Sequence, residues 1–178
     1  WYAYCSLVRD GKIKAGDKIN FTVPTGNFGN ILAGYFAKKM GLPVNMFICA
    51  SNSNKVLYDF FRTGTYDRNR EFILTVSPSM DILISSNLER LICMLTSQEE
   101  TAKLMASLAG EGKYTMTAKA EDITGEYADE DETFTAIRTM YANAGYVIDT
   151  HTAVAYASYD KYVKETGDNT PTVIVSTA

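Results

Sequence analysis

The 178-residue chain has one histidine, one tryptophan, four prolines and three cysteines, and each scarcity narrows what the protein can be. Cys5, Cys49 and Cys93 are an odd set, far apart and without C-x-x-C spacing, which excludes a disulfide framework or a thiolate metal motif. With Ile48 and Ile92 beside two of them, they read as buried, reduced thiols in a reducing compartment, so cytoplasm is the expected location. No apolar run approaches the ~20 residues of a membrane helix. There is no basic excess either: the net charge is -4, with Lys and Arg scattered among Asp and Glu, so neither nucleic acid nor a membrane surface is an expected partner. Low-complexity tracts, internal repeats and flexible linkers are missing. With 46% apolar residues, residues 1–178 are expected to form a single α/β domain with a sizeable core. The chain has no initiator Met and no secretory pattern, opens inside the aromatic run W-Y-A-Y-C-S-L-V and stops directly after a strand-like run. It reads as a piece of a longer protein.

What is present is an alternation of strand and helix. Tyr2–Val8 is expected to end a buried helix, and Ile19–Pro24, rich in β-branched and aromatic residues, a core strand. After the turn T-G-N-F-G-N, Ile31, Leu32, Tyr35, Phe36 and Met40 recur at helical spacing until Gly41 and Pro43. Met46–Ala50 repeats the strand; Val56, Leu57, Phe60 and Phe61 repeat the helix face, closed by Gly64. Glu71–Val76 is expected to be a third strand. Ser86 with Glu89, and Ser97 with Glu100, match a helix capping box. Residues 111–132, polar and without sustained period, are expected to be an irregular surface excursion. Helices are expected around Phe134–Tyr141 and Thr152–Lys164, and a last strand over Thr172–Ser176. Such alternation implies a three-layer αβα architecture with a mostly parallel sheet.

The turn Thr25–Asn30 joins a strand to a helix start, a geometry that aims backbone N–H groups and the positive helix end at one point, where an anion belongs. Gly26 and Gly29 are expected to supply conformations closed to other residues and room for phosphate oxygens. By itself the turn is unspecific, having neither the Lys-Ser/Thr end of a P-loop nor G-x-G-x-x-G spacing.

The run V-P-T-G-N-F-G-N-I-L-A-G-Y-F-A-K-K-M-G-L-P-V at 23–44 resembles the phosphate-binding segment of threonine synthase, a family of pyridoxal-phosphate enzymes with the tryptophan-synthase-like fold, fold type II. A-S-N-S-N at 50–54, S-P-S-M-D-I at 77–82, S-S-N-L-E-R-L at 85–91 and D-T-H-T-A-V-A at 149–155 are similar to that family in the same order. The resemblance implies that the amides of Gly26, Asn27, Phe28, Gly29 and Asn30 hold the 5′-phosphate of pyridoxal phosphate. It gives Thr177, in the terminal S-T-A, the role of hydroxyl partner to the pyridine nitrogen. It also implies a parent that converts O-phospho-L-homoserine and water to L-threonine and phosphate. The family's Schiff-base lysine lies upstream in an S-F-K-D-like segment that has no counterpart here, so the missing N-terminal part of the same enzyme is the expected partner and the chain alone is expected to be inactive. Alternatives are a fragment of another enzyme of this fold, a dehydratase or sulfhydrylase, or a stand-alone phosphate-binding or interaction module. The downstream blocks favour the first reading.

No residue is assigned a catalytic or metal-binding role. His151, beside Asp149, has no Cys or Ser nucleophile spaced to partner it and reads as a capping or packing residue. Asp81 reads as a turn or cap carboxylate. Asp129–Glu132 lacks the alternating ligands and central Gly of a calcium loop and fits a helix N-terminus.

Overall fold

A computed structural model describes residues 1–176. Strands β1 (Ile19–Pro24), β2 (Val44–Ser51), β5 (Ile123–Tyr127) and β6 (Thr172–Ile174) form one sheet in the order β5-β2-β1-β6, with all three pairings parallel. One register row crosses the whole sheet through Thr124, Ile48, Thr22 and Ile174. The helices connecting such strands must cover both faces. Helices α2 (Gly29–Lys39) and α3 (Val56–Thr63) pack on one, where Val23, Ile31, Leu32, Phe47, Leu57 and Phe60 make the main core. Helix α7 (Thr150–Thr166) covers the other, with Val154 and Ala155 against Ala50. The expected three-layer architecture with a mostly parallel sheet is therefore present. A Cβ at Gly34 would lie 2.7 Å from the Phe47 ring, so this glycine lets α2 approach β2 closely enough to aim its N-terminus at the end of β1.

The remaining elements are a short helix α1 (Tyr2–Arg9), a two-stranded antiparallel ribbon of β3 (Thr65–Asp67) and β4 (Lys113–Thr115), and helices α4 (Leu88–Leu95), α5 (Gln98–Glu111) and α6 (Glu130–Ala144). Ser97 caps α5 through the Glu100 amide, and Asp129 with Glu132 forms a complete capping box on α6.

Several expectations fail for identifiable reasons. Residues 111–132 are no surface excursion, because they contain β4 and the sheet strand β5. The latter has neighbours on both faces, so it shows no alternation, and Gly125 sits where a Cβ would lie 2.8 Å from the Tyr58 backbone. Glu71–Val76 is not a strand, since side chains claim its amides: Asn54 that of Ile73, Asp81 that of Thr75 and Glu130 that of Val76. Ser86 caps nothing; α4 starts after Asn87 without a side-chain cap. Of α1 only Tyr4 is buried, and Cys49 is the one fully buried thiol, Cys5 being exposed and Cys93 half-buried. Burial in an apolar site pushes the Cys49 thiol up to about 12, slightly offset by a hydrogen bond with Thr25.

At the amino ends of the strands one carboxylate ties the layers together. Asp168 accepts from Asn20 Nδ2 on β1 at 2.9 Å, Asn45 Nδ2 on β2 at 3.2 Å, Tyr162 OH on α7 at 2.7 Å and the Thr170 amide at 2.9 Å. Burial raises its pKa, but these donors outweigh burial and hold it well below the usual carboxylate range. Replacing Asp168 with Ala strands the donors and is expected to lower unfolding free energy by about 2–3 kcal/mol at neutral pH. Because the folded carboxyl is depressed, its contribution is present above the unfolded value of about 4 and fades as pH falls below it. Urea unfolding of both proteins across that range checks the size and the sign.

Candidate anion-binding site

The order of strands reverses at β1: β2 follows on one side and β6 is added on the other, and the crevice at the carboxyl end of such a strand is the usual ligand position of an α/β sheet. The turn Thr25–Asn30 lies there. Thr25 donates its amide to Ala50 O at 2.9 Å and its hydroxyl to Val23 O at 2.7 Å, which fixes the direction in which the chain leaves the sheet.

The next carbonyls are all taken. Ser85 Oγ donates to Gly26 O at 2.8 Å. Asn87 donates twice to Asn27 O, from its amide at 3.2 Å and from Nδ2 at 2.8 Å. Phe28 O accepts the first helical bond, from the Leu32 amide at 3.1 Å. A planar trans peptide points its N–H opposite to its C=O. Pinning these three carbonyls therefore aims the amides of Asn27, Phe28 and Gly29 the other way. None of the amides from Gly26 to Asn30 donates to another described residue. These residues border a concavity of about 160 Å³ lined by residues 23–31. That is below the ~300 Å³ at which ligand pockets begin, room for one group of a ligand rather than the whole. A larger cavity of about 300 Å³, lined by Phe60, Leu91, Ile92 and Ile123 among others, lies elsewhere, so the turn is singled out by its donors and not by its size.

The expected role of the glycines needs correction. Neither Gly26 nor Gly29 has positive φ; that conformation belongs to Phe28, at φ 62° and ψ 11°, the only described non-glycine residue to adopt it. The left-handed region costs such a residue about 1–2 kcal/mol. The Phe28 ring is 1% exposed and stacks on Phe61 at 5.8 Å, and burying it returns about 2–3 kcal/mol. Core packing thus holds the turn in a conformation its backbone disfavours. Gly26 is needed for space: a Cβ there would lie 2.4 Å from Ser79 O.

Ser79 belongs to a 3₁₀ turn, Pro78–Met80, held over Gly26 from two sides. Asp81 accepts from Asn52 Nδ2 at 2.7 Å, Asn54 Nδ2 at 3.0 Å, and the Thr75 amide and hydroxyl at 2.9 and 2.7 Å. On the other side Thr150 Oγ1 donates to Val76 O at 2.6 Å, and His151 Nε2 accepts from the Ser79 amide at 3.2 Å. Asp149 caps α7, accepting from the amides of His151 and Thr152 and bonding the Thr152 hydroxyl. Burial raises the Asp149 pKa, but these bonds outweigh it and keep the carboxyl below its ordinary range.

The structure thus brings Gly26, Asn27, Phe28, Gly29 and Asn30 together and gathers residues 50–54, 77–82, 85–91 and 149–155 around them. Thr177 lies outside the described residues. Asp81 is the turn carboxylate expected of it, whereas Asp149 rather than His151 is the cap. The roles of Ser79, Ser85 and Asn87 escaped sequence reading; their only signal was membership of the ordered blocks. Among the described residues no charged side chain lines the concavity, and α2 carries no acid in its first turn and two lysines in its last. Such a site can bind and orient an anion through neutral donors and the helix end, and offers no acid, base or nucleophile. Among the described residues no cluster of His, Cys, Asp and Glu could hold a metal, and no helix is long and apolar enough to cross a membrane.

Over 99% of its length the chain is similar to threonine synthase-like 1 of Macaca fascicularis, with 41% identity across 186 residues that make up 24% of that protein. It superposes on the crystal structure of threonine synthase from yeast with a TM-score of 0.90 and 34% identity, covering 99% of this chain and 39% of that one. On the pyridoxal-phosphate-bound threonine synthase of Brucella melitensis the TM-score is 0.88 at 34% identity, over 99% and 38% of the two chains. The chain therefore spans between 24% and 39% of these relatives' length. No protein-family profile matches it.

The two glycines should differ sharply on substitution. Gly26→Ala forces Ser79 away and is expected to cost about 1–3 kcal/mol. Gly29→Ala meets only Asn87 Nδ2, at 3.7 Å, and is expected to change stability by less than about 1 kcal/mol. Urea unfolding of the two variants measures the contrast.

Proposed function

We infer, from the premise that this chain belongs along its whole length with one part of the threonine synthases, that it carries the cofactor-phosphate cradle of a pyridoxal-phosphate lyase. The observation that carries the inference is the run of amides from Gly26 to Asn30 left without acceptors among the described residues while the carbonyls between them are bound. These amides would hold the 5′-phosphate; the space a Cβ at Gly26 would fill is taken by Ser79 O, which keeps the turn in its shape. Bound there, pyridoxal phosphate would supply an electron sink for chemistry at the carbons next to the substrate amine. Thr177 would give the pyridine nitrogen a neutral hydroxyl partner.

The parent's reaction is, on this reading, conversion of O-phospho-L-homoserine and water to L-threonine and phosphate, in the cytoplasm. Residues 1–178 act as one α/β unit, and the remainder of the same enzyme supplies the lysine. None of the eleven lysines lines the concavity. Lys55, three residues beyond the buried Asn52, is turned over the rings of Tyr58 and Tyr127. The chain alone is therefore inactive. Exposed Trp1, Tyr2, Phe36 and Met40 are consistent with a surface that the rest of the enzyme covers.

Titrating the isotope-labelled chain with pyridoxal phosphate is expected to shift the amides of Gly26–Asn30 with a dissociation constant of about 1 mM, some 4 kcal/mol of binding. Borohydride reduction should then label no single lysine stoichiometrically. Absence of any shift at that loop contradicts the cradle, and a stoichiometric adduct at one lysine contradicts the inactivity.

A further inference from the structure

His151 is the only histidine in the chain and does not line the concavity, yet both of its ring nitrogens are engaged. Nε2 faces the Ser79 amide at 3.2 Å and Nδ1 faces Asp149 Oδ1 at 3.2 Å. A backbone N–H can only donate, so Nε2 must carry its lone pair, and the ring is the neutral tautomer with its hydrogen on Nδ1, directed at the carboxylate. Ser79 is also the residue whose carbonyl lies against Gly26.

We propose that His151 is a positioning residue for the turn: while neutral it ties Ser79 to α7 and keeps Pro78–Met80 seated on Gly26, and on protonation it lets that segment go. A protonated ring donates from both nitrogens, so Nε2 would meet the Ser79 amide donor to donor, whereas Nδ1 keeps Asp149. The flanks of the segment have other holds. Asp81 is fixed by Asn52, Asn54 and Thr75, and Val76 by Thr150 and Glu130. Between them, among the described residues, the bond that the Ser79 amide donates to His151 is the one that ties Pro78–Met80 to another helix or strand. Among the described residues the one titratable group that contacts the ring is Asp149, the N-cap of α7; Glu130, in the first turn of α6, and Asp81, at the end of the segment, are spent on the amides of Val76 and Thr75, and the cations Lys161 and Lys164 lie in the later turns of α7 and Arg138 within α6. A charged ring therefore retains a carboxylate partner and loses Ser79 alone. The consequence for ligand binding, weaker anion capture at acidic pH, rests on the cradle reading above.

The test uses the whole labelled chain between about pH 5 and about pH 8, with the ring resonances of the single histidine reporting its protonation state directly. As the ring protonates, hydrogen-exchange protection at the Ser79 amide is expected to fall about tenfold relative to His151→Gln at the same pH, and the Gly26 amide to shift with the same midpoint. His151→Gln offers a carbonyl acceptor that does not titrate, so it should keep protection throughout with no step at Gly26; His151→Ala should lack protection at every pH. Sulfate, whose charge is constant over this range, should bind the wild-type turn about tenfold more weakly at the acidic end and the Gln variant equally at both. Equal Ser79 protection in wild type and His151→Gln at all pH, or a Gly26 amide indifferent to the ring, overturns the proposal. So does sulfate affinity that ignores pH while Ser79 is released. If sulfate binds at no pH, the cradle reading fails, while the steps at Ser79 and Gly26 still decide the role of His151.

Discussion

The orientation of the peptide planes between Gly26 and Gly29 is the constraint on which the site depends. A strand-to-helix turn can bury its amides against its own carbonyls as readily as it can present them, and here the choice is made by two residues, Ser85 and Asn87, about sixty positions away. Ser85 and Asn87 hold the Gly26 and Asn27 carbonyls with three hydrogen bonds, each worth about 0.5–1.5 kcal/mol net. Together with burial of the Phe28 ring they exceed the cost of a left-handed Phe28. On the proposed reading the donors would stand ready before an anion arrives, and binding would need no refolding of the turn.

Other parts of the fold give up local regularity to keep this arrangement. Asn87 stands at the N-cap of α4 but turns its side-chain amide to the turn, leaving the helix without a side-chain cap. Such a cap is typically worth about 1 kcal/mol. The segment before Pro78 leaves the sheet altogether, its amides satisfied by Asn54, Asp81 and Glu130. The sheet itself bears the load of stability, pinned at its opposite end by Asp168 across β1, β2 and α7. Separating the pin from the site leaves the carboxyl ends of the strands free to carry strained and polar loops.

This division also explains what could be read from the sequence. β1, α2, β2 and α3 were legible because apolar period and glycine stops coincide there, and Asp129–Glu132 was legible as a helix N-terminus because an acidic first turn is a local feature; the capping box it forms came from the structure. The strand β5 was not, since burial on both faces removes alternation and Gly125 interrupts the β-branched signal. Glu71–Val76 misled for the opposite reason: a strand-like composition whose amides bond side chains, the nearby Asp81 and the distant Asn54 and Glu130, instead of a neighbouring strand. At the candidate site, the strand-to-helix turn was legible as a turn. The left-handed Phe28, the Ser79 carbonyl over Gly26 and the grip of Ser85 and Asn87 are tertiary facts, and they place the special backbone conformation on an aromatic residue where sequence reasoning placed it on glycine.

The central claim is that the turn is a preformed anion cradle, and the most direct measurement is a crystal structure of this chain grown with pyridoxal phosphate. The account predicts phosphate oxygens at about 3 Å from the amide nitrogens of residues 26–30, with the bonds from Ser85 to Gly26 and from Asn87 to Asn27 intact. Phosphate bound elsewhere, or a turn whose peptides have flipped to receive it, would contradict the account.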